Sequence, residues 1–139
     1  VAPSGDVYQA GTLSANPIGM RAGLMTLKKM QRLDGWNLLE KRTQKFADTL
    51  QAGFDKKGVD LKMLNTASLF WIHGKTSAPI RTVEQIPQNQ GATFKKVFLK
   101  ALDKGVYLAP NAYEVGFVSM AHTDEILNQA AQLILESID

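Results

Sequence analysis

From Pro17 onward, apolar residues recur every three or four positions, and this spacing predicts a helix. Ile18, Ala22, Met25 and Leu33 mark its apolar side, joined by Leu24, Leu27 and Met30. Asn16 and Pro17 stand where an N-cap and a first helical residue belong. Asp34-Gly35-Trp36 interrupts the pattern. A second helix is predicted from about Asn37 to Asp55, with Leu39, Phe46, Leu50 and Phe54 along one side and Gly58 after its end. The pattern is equally compatible with one long bent helix. Residues 1–16 have no periodicity and read as loop.

The rhythm then shortens. Leu61-Lys62-Met63-Leu64 and Ser68-Leu69-Phe70-Trp71-Ile72-His73 are short, apolar or aromatic runs that predict strands separated by Asn65-Thr66. Gly74 to Gln90 carries two prolines and no pattern, so a long loop is expected. A third helix is predicted over Thr93–Lys104, with Phe94, Val97, Phe98 and Ala101-Leu102 on one face and Gly105 at its end. Val106-Tyr107-Leu108 reads as a strand, Asn111 to Val115 as a turn, and Gly116 to Met120 as another strand. Thr123 caps a final helix whose buried stripe is Ile126, Ala130, Ile134 and Ile138.

This order predicts an α+β fold: a long N-terminal helix, then a small, mostly antiparallel sheet with helices on one face. The expected divisions are a loop over residues 1–16, a helical segment over 17–57 and an α+β domain over 58–139. At 139 residues the chain is one domain or part of a larger one, and its start, Val1-Ala2-Pro3-Ser4-Gly5, reads as mid-protein loop. The net charge of +3 is spread over helix faces, so nucleic acid is not an expected partner. No apolar run is long enough to span a membrane. The absence of cysteine excludes disulfides and thiolate metal sites, and two histidines are weak evidence for any metal.

Four places invite chemistry. The first is Tyr8-Gln9-Ala10-Gly11-Thr12-Leu13-Ser14-Ala15-Asn16-Pro17, a polar loop ending at a helix N-terminus. Free backbone N–H groups and the positive dipole end suit an anion there, most often phosphate, and Thr12 and Ser14 add hydroxyl donors. The plainer reading is a capped helix start with no ligand. The second is Glu114, a carboxylate in an aromatic turn that can bind an amine or guide a proton, or is simply solvated. The third is Ser119 with His122, which has no placed acid partner and fits local hydrogen bonding better than nucleophilic catalysis. The fourth is the set of twelve lysines, mostly on polar helix faces, none of which stands out as a Schiff-base residue.

Val7 to Pro17, followed by Met20 and Ala22-Gly23-Leu24, closely resembles a loop and helix start of the glutamate-1-semialdehyde 2,1-aminomutases, pyridoxal-phosphate enzymes related to class-III aminotransferases. Gly105-Val106-Tyr107-Leu108-Ala109-Pro110, Glu114, Gly116-Phe117, Ser119 and Ala121-His122-Thr123 resemble a segment near the C-terminus of the same family. The likeness covers essentially the whole chain. Two departures stand out. Ala15 replaces a common glycine, and Asn111-Ala112-Tyr113 replaces a usual Ser-x-Phe.

The resemblance implies the C-terminal small domain of a fold type I enzyme. It implies a cytoplasmic homodimer acting on a small molecule, in which glutamate-1-semialdehyde becomes 5-aminolevulinate for tetrapyrrole synthesis. Gly11 and Thr12 are then expected to contact the pyridoxal 5'-phosphate phosphate across the dimer interface, and Glu114 to lie at the substrate-binding region. The family's Schiff-base lysine is expected upstream of Val1, so the chain alone is expected to be a fragment without activity and with no catalytic residue of its own. Two rivals remain: a class-III aminotransferase using an external amino donor, and a non-enzymatic α+β binding module.

Overall fold

The computed structural model describes residues 1–8 and 10–138; Gln9, part of the opening motif, lies outside the described residues. The chain forms two compact units, Val1–Gly35 and Trp36–Asp139. In the first, α1 spans Pro17–Arg32. The Asn16 side chain caps it by accepting from Ile18 N and Gly19 N, at 3.0 and 3.2 Å. Ile18, Met20 and Leu27 are exposed, and no residue of α1 is buried.

α2 spans Gly35–Lys57 and begins two residues earlier than predicted. A single residue, Asp34 at φ 49°, makes the break, so the chain carries two helices and not one bent one. In the second unit Leu39, Phe46, Leu50 and Phe54 are buried as expected, and Thr43 completes their stripe by bonding its hydroxyl back to Leu39 O at 2.8 Å. Gly58, at φ 65°, ends the helix: Val59 N bonds Phe54 O and Gly58 N bonds Asp55 O.

Three antiparallel strands follow in the order β1-β2-β3: β1 Leu61–Thr66, β2 Leu69–Gly74 and β3 Gly116–Phe117. The turn between β1 and β2 is Ala67-Ser68 and not Asn65-Thr66, with Thr66 paired to Leu69. Ala67 adopts φ 48°, the sign that two-residue hairpin loops require and glycine usually supplies. Without glycine, the turn carried no signal in the sequence. Phe70 and Ile72 point to the helices, and Phe70 meets Phe46 of α2 edge-on at 5.2 Å. Leu64, on the opposite face, is 51% exposed.

The long loop contains one short 3-10 turn, Val83–Gln85, before α3 at Gln90–Asp103. α3 starts three residues before the predicted Thr93 because Gln90 is buried, and periodicity does not expect a polar residue in the core. Val106–Leu108, expected as a strand, joins no ladder. The available edge of β2 is already filled, by β3 at Leu69 and Phe70 and by the Gln90 side chain at Ile72 and Gly74.

α4 spans Asp124–Glu136, capped by Thr123 Oγ1 accepting from Ile126 N at 3.4 Å. Its buried stripe is Leu127, Ala131 and Ile134, continued by Ile138 just past its end, whereas Ile126 is 47% exposed. The predicted steps of four drift around a helix of 3.6 residues per turn; the observed steps of four, three and four stay on one face. α2 and α4 run side by side in the same direction: Arg42 pairs with Asp124 at 3.8 Å near their starts, and Lys57 Nζ donates to Ile138 O at 2.5 Å near their ends. Gly53 permits this approach, since a Cβ there would overlap the Leu135 side chain.

Candidate functional site

Glu114 is carried by a turn between α3 and β3. Gly105, at φ 87°, ends α3, with Val106 N bonding Ala101 O and Gly105 N bonding Leu102 O. The chain runs without helix or strand to Pro110 and then turns over Asn111–Glu114. Glu114 N bonds Asn111 O at 3.1 Å, and Tyr113 N bonds Asn111 Oδ1 at 3.0 Å. An Asn side chain that accepts from the backbone two residues on is a standard way to start such a turn. Glu114 is exposed, and its carboxylate makes no hydrogen bond or ion pair among the described residues.

Glu114 borders a cavity of about 470 Å³. Phe46, Phe70, Phe94 and Ile134 form apolar walls, and Tyr107, Phe117 and His122 stand with Glu114 among its lining residues. An apolar concavity with few polar groups is the usual form of a small-molecule site. Tyr107 and Phe117 are 72% and 67% exposed, so the aromatic groups on this side are unburied in the second unit.

His122 and Ser119 make the local arrangement their spacing predicts. His122 Nδ1 accepts from the backbone N–H of Ser119 at 2.9 Å, which places the ring proton on Nε2. Ser119 Oγ lies 3.4 Å from the same Nδ1 and accepts from Ala121 N at 3.3 Å. With that lone pair already engaged by the backbone, the ring is not free to deprotonate Ser119.

Gly11 and Thr12 lie in the first unit, in an exposed loop closed by Ser14 N bonding Gly11 O and Asn16 N bonding Leu13 O. The donors of the helix start are consumed internally. Pro17 has none, Ile18 N and Gly19 N go to Asn16 Oδ1, and Met20 N goes to Asn16 O. Among the described residues, the Gly11 and Thr12 N–H groups and the Thr12 hydroxyl donate to nothing. The donors left open here are therefore the loop's own and not those of the helix terminus. Ala15 sits at φ 60°, a conformation that favours glycine.

Periodicity could not reveal Gln90. Only 1% exposed, it accepts from Gly74 N at 2.7 Å and donates to Ile72 O at 3.0 Å and Ala112 O at 3.1 Å. A second cavity, of about 830 Å³, includes Lys75, Lys96 and Asp60 in its lining.

No family model matches the chain. Its sequence is 73% identical, over all 139 residues, to a glutamate-1-semialdehyde 2,1-aminomutase from Bdellovibrio bacteriovorus. The likeness read from the two motifs holds across the whole chain. The chain spans 33% of that relative's length. An aminomutase of the same name from Leptospira interrogans is 51% identical over 134 residues, with 30% of its length covered. Among solved structures, a β-phenylalanine aminotransferase from Variovorax paradoxus matches 99% of the chain with a TM-score of 0.83 at 22% identity, and the chain covers 32% of it. A transaminase with PLP bound matches 99% with a TM-score of 0.75 at 19% identity, 31% of it being covered. The four helices and small antiparallel sheet are thus an α+β arrangement that recurs within larger aminotransferases.

Proposed function

We propose that this chain forms the C-terminal part of a pyridoxal-phosphate-dependent aminomutase that converts glutamate-1-semialdehyde to 5-aminolevulinate. The observation that carries this reading is the 73% identity along the full chain to a protein of that name. In this proposal residues 17–57 form the helical segment between domains and 58–139 the small domain of a cytoplasmic homodimer. When bound, the cofactor supplies the electron sink, and the protein supplies anchoring and orientation. The open donors of Gly11 and Thr12 fit a phosphate group, and they hold it across the dimer interface. Glu114 offers an unpartnered carboxylate beside an apolar cavity, which fits a substrate amino group.

The test is product analysis of the intact protein. Incubation with glutamate-1-semialdehyde and no added keto acid should yield 5-aminolevulinate. A strict requirement for an external amino donor or acceptor would refute the aminomutase reading in favour of an ordinary aminotransferase. For the phosphate loop, Thr12→Val should weaken cofactor retention by roughly 1.5–3 kcal/mol, the range for a hydrogen bond to a charged group. Unchanged affinity for pyridoxal phosphate would remove Thr12 from that role.

A further inference from the structure

The Glu114 carboxylate has no side-chain partner among the described residues, so its position is set by the backbone that carries it. β3 ties that backbone to β2 two residues on, where Gly116 pairs with Phe70; on the other side of Glu114 it is tied to the fold at one carbonyl. Ala112 O accepts Trp71 Nε1 at 2.8 Å and Gln90 Nε2 at 3.1 Å. Ala112 is buried while its turn neighbours Asn111, Tyr113 and Glu114 are exposed, so the turn is pinned at its inner residue and bare elsewhere. Gln90 is itself immobilised. Its oxygen accepts from Gly74 N, and its nitrogen divides two donors between Ile72 O and Ala112 O. Both anchors therefore belong to, or are bonded to, the central strand β2.

We infer that Trp71 and Gln90 are positioning residues that hold the Glu114 turn through the Ala112 carbonyl, an inference that rests on Glu114 binding substrate as proposed above. Two Cα–Cα steps, at most about 7 Å of chain, separate Ala112 from Glu114, so movement at the carbonyl passes directly to the carboxylate. Buried hydrogen-bond groups tolerate few alternative arrangements, because each donor left unmet costs desolvation without return. The anchor therefore fixes the turn in one place while leaving the Glu114 side chain clear for a ligand.

The experiment is a double-mutant cycle in the intact protein. Trp71→Phe removes the indole N–H and keeps an aromatic ring; Gln90→Glu keeps the acceptor for Gly74 N and removes the amide donors. Glu114→Gln should lower kcat/KM, and Trp71→Phe alone should lower it by on the order of tenfold, within the roughly hundredfold that a small misplacement can cost. In the Glu114→Gln background, Trp71→Phe should change kcat/KM less than twofold. Hydrogen exchange of the 111–114 segment should speed up in Trp71→Phe and Gln90→Glu, an effect independent of turnover. Equal losses from Trp71→Phe in both backgrounds, or exchange unchanged in both variants, would overturn the anchoring role. A Glu114→Gln enzyme with undiminished kcat/KM would instead overturn the substrate role on which the inference rests.

Discussion

Replacing Gly116 by alanine should drive a methyl group into the ring of Phe70. The two residues are direct partners across β2 and β3, and a Cβ on Gly116 would lie within 2.7 Å of three Phe70 ring atoms. The ring also makes the edge-on contact with Phe46, at 5.2 Å and 71°. Its way out is the cavity beside Glu114, which it already lines. Moving it there disturbs an aromatic pair that contributes about 0.5–1.5 kcal/mol beyond burial, and overpacking of this kind costs typically 1–3 kcal/mol. Gly116→Ala is thus expected to destabilise the protein by about 1–3 kcal/mol in urea unfolding. It should also raise KM, because the displaced ring occupies cavity volume. Phe70→Leu in the Gly116→Ala background should recover part of the stability by removing the obstructing ring atoms. A Gly116→Ala change below roughly 0.5 kcal/mol, the level of an ordinary surface substitution, would show that Phe70 is not held as described.

Other consequences follow from the turns, the caps and the core. Ala67→Gly should stabilise the hairpin by up to about 1 kcal/mol, because relief of the left-handed strain exceeds the entropy glycine adds to the unfolded chain; a lowered Tm in thermal unfolding would refute this. Leu50→Ala, at a fully buried position, should cost about 2–5 kcal/mol, and denaturant unfolding tests it. Glu125 titrates below its usual 4.5 through a hydrogen bond from its own backbone N–H, another from the Thr123 hydroxyl, and the charges of Arg42 and Lys45. A carboxyl lowered by folding stabilises above its unfolded value and loses that contribution as pH falls through the folded one. Acidification below about 4.5 should therefore loosen the start of α4, and amide exchange in Glu125→Gln should show less pH dependence there.

The chain's own pattern determined much of this protein. The α+β class, the faces of α2 and α3, the caps Asn16 and Thr123, and the glycine stops Gly58 and Gly105 all follow from spacing and local backbone chemistry. These are short-range effects, set within a turn or two of helix. Local periodicity misplaced what depends on neighbours distant in sequence. Val106–Leu108 has strand composition but finds β2's edge taken, and the α4 stripe is set by what the helix packs against, α3 among it. The hairpin turn escaped detection because Ala67 does without glycine the work that glycine usually signals. The candidate site divides in the same way. Glu114 in one unit, and Gly11 and Thr12 in the other, were nominated from loop motifs. What holds Glu114 was not legible: the partners of the Ala112 carbonyl lie 22 and 41 residues away, and only the folded chain brings their donors to it.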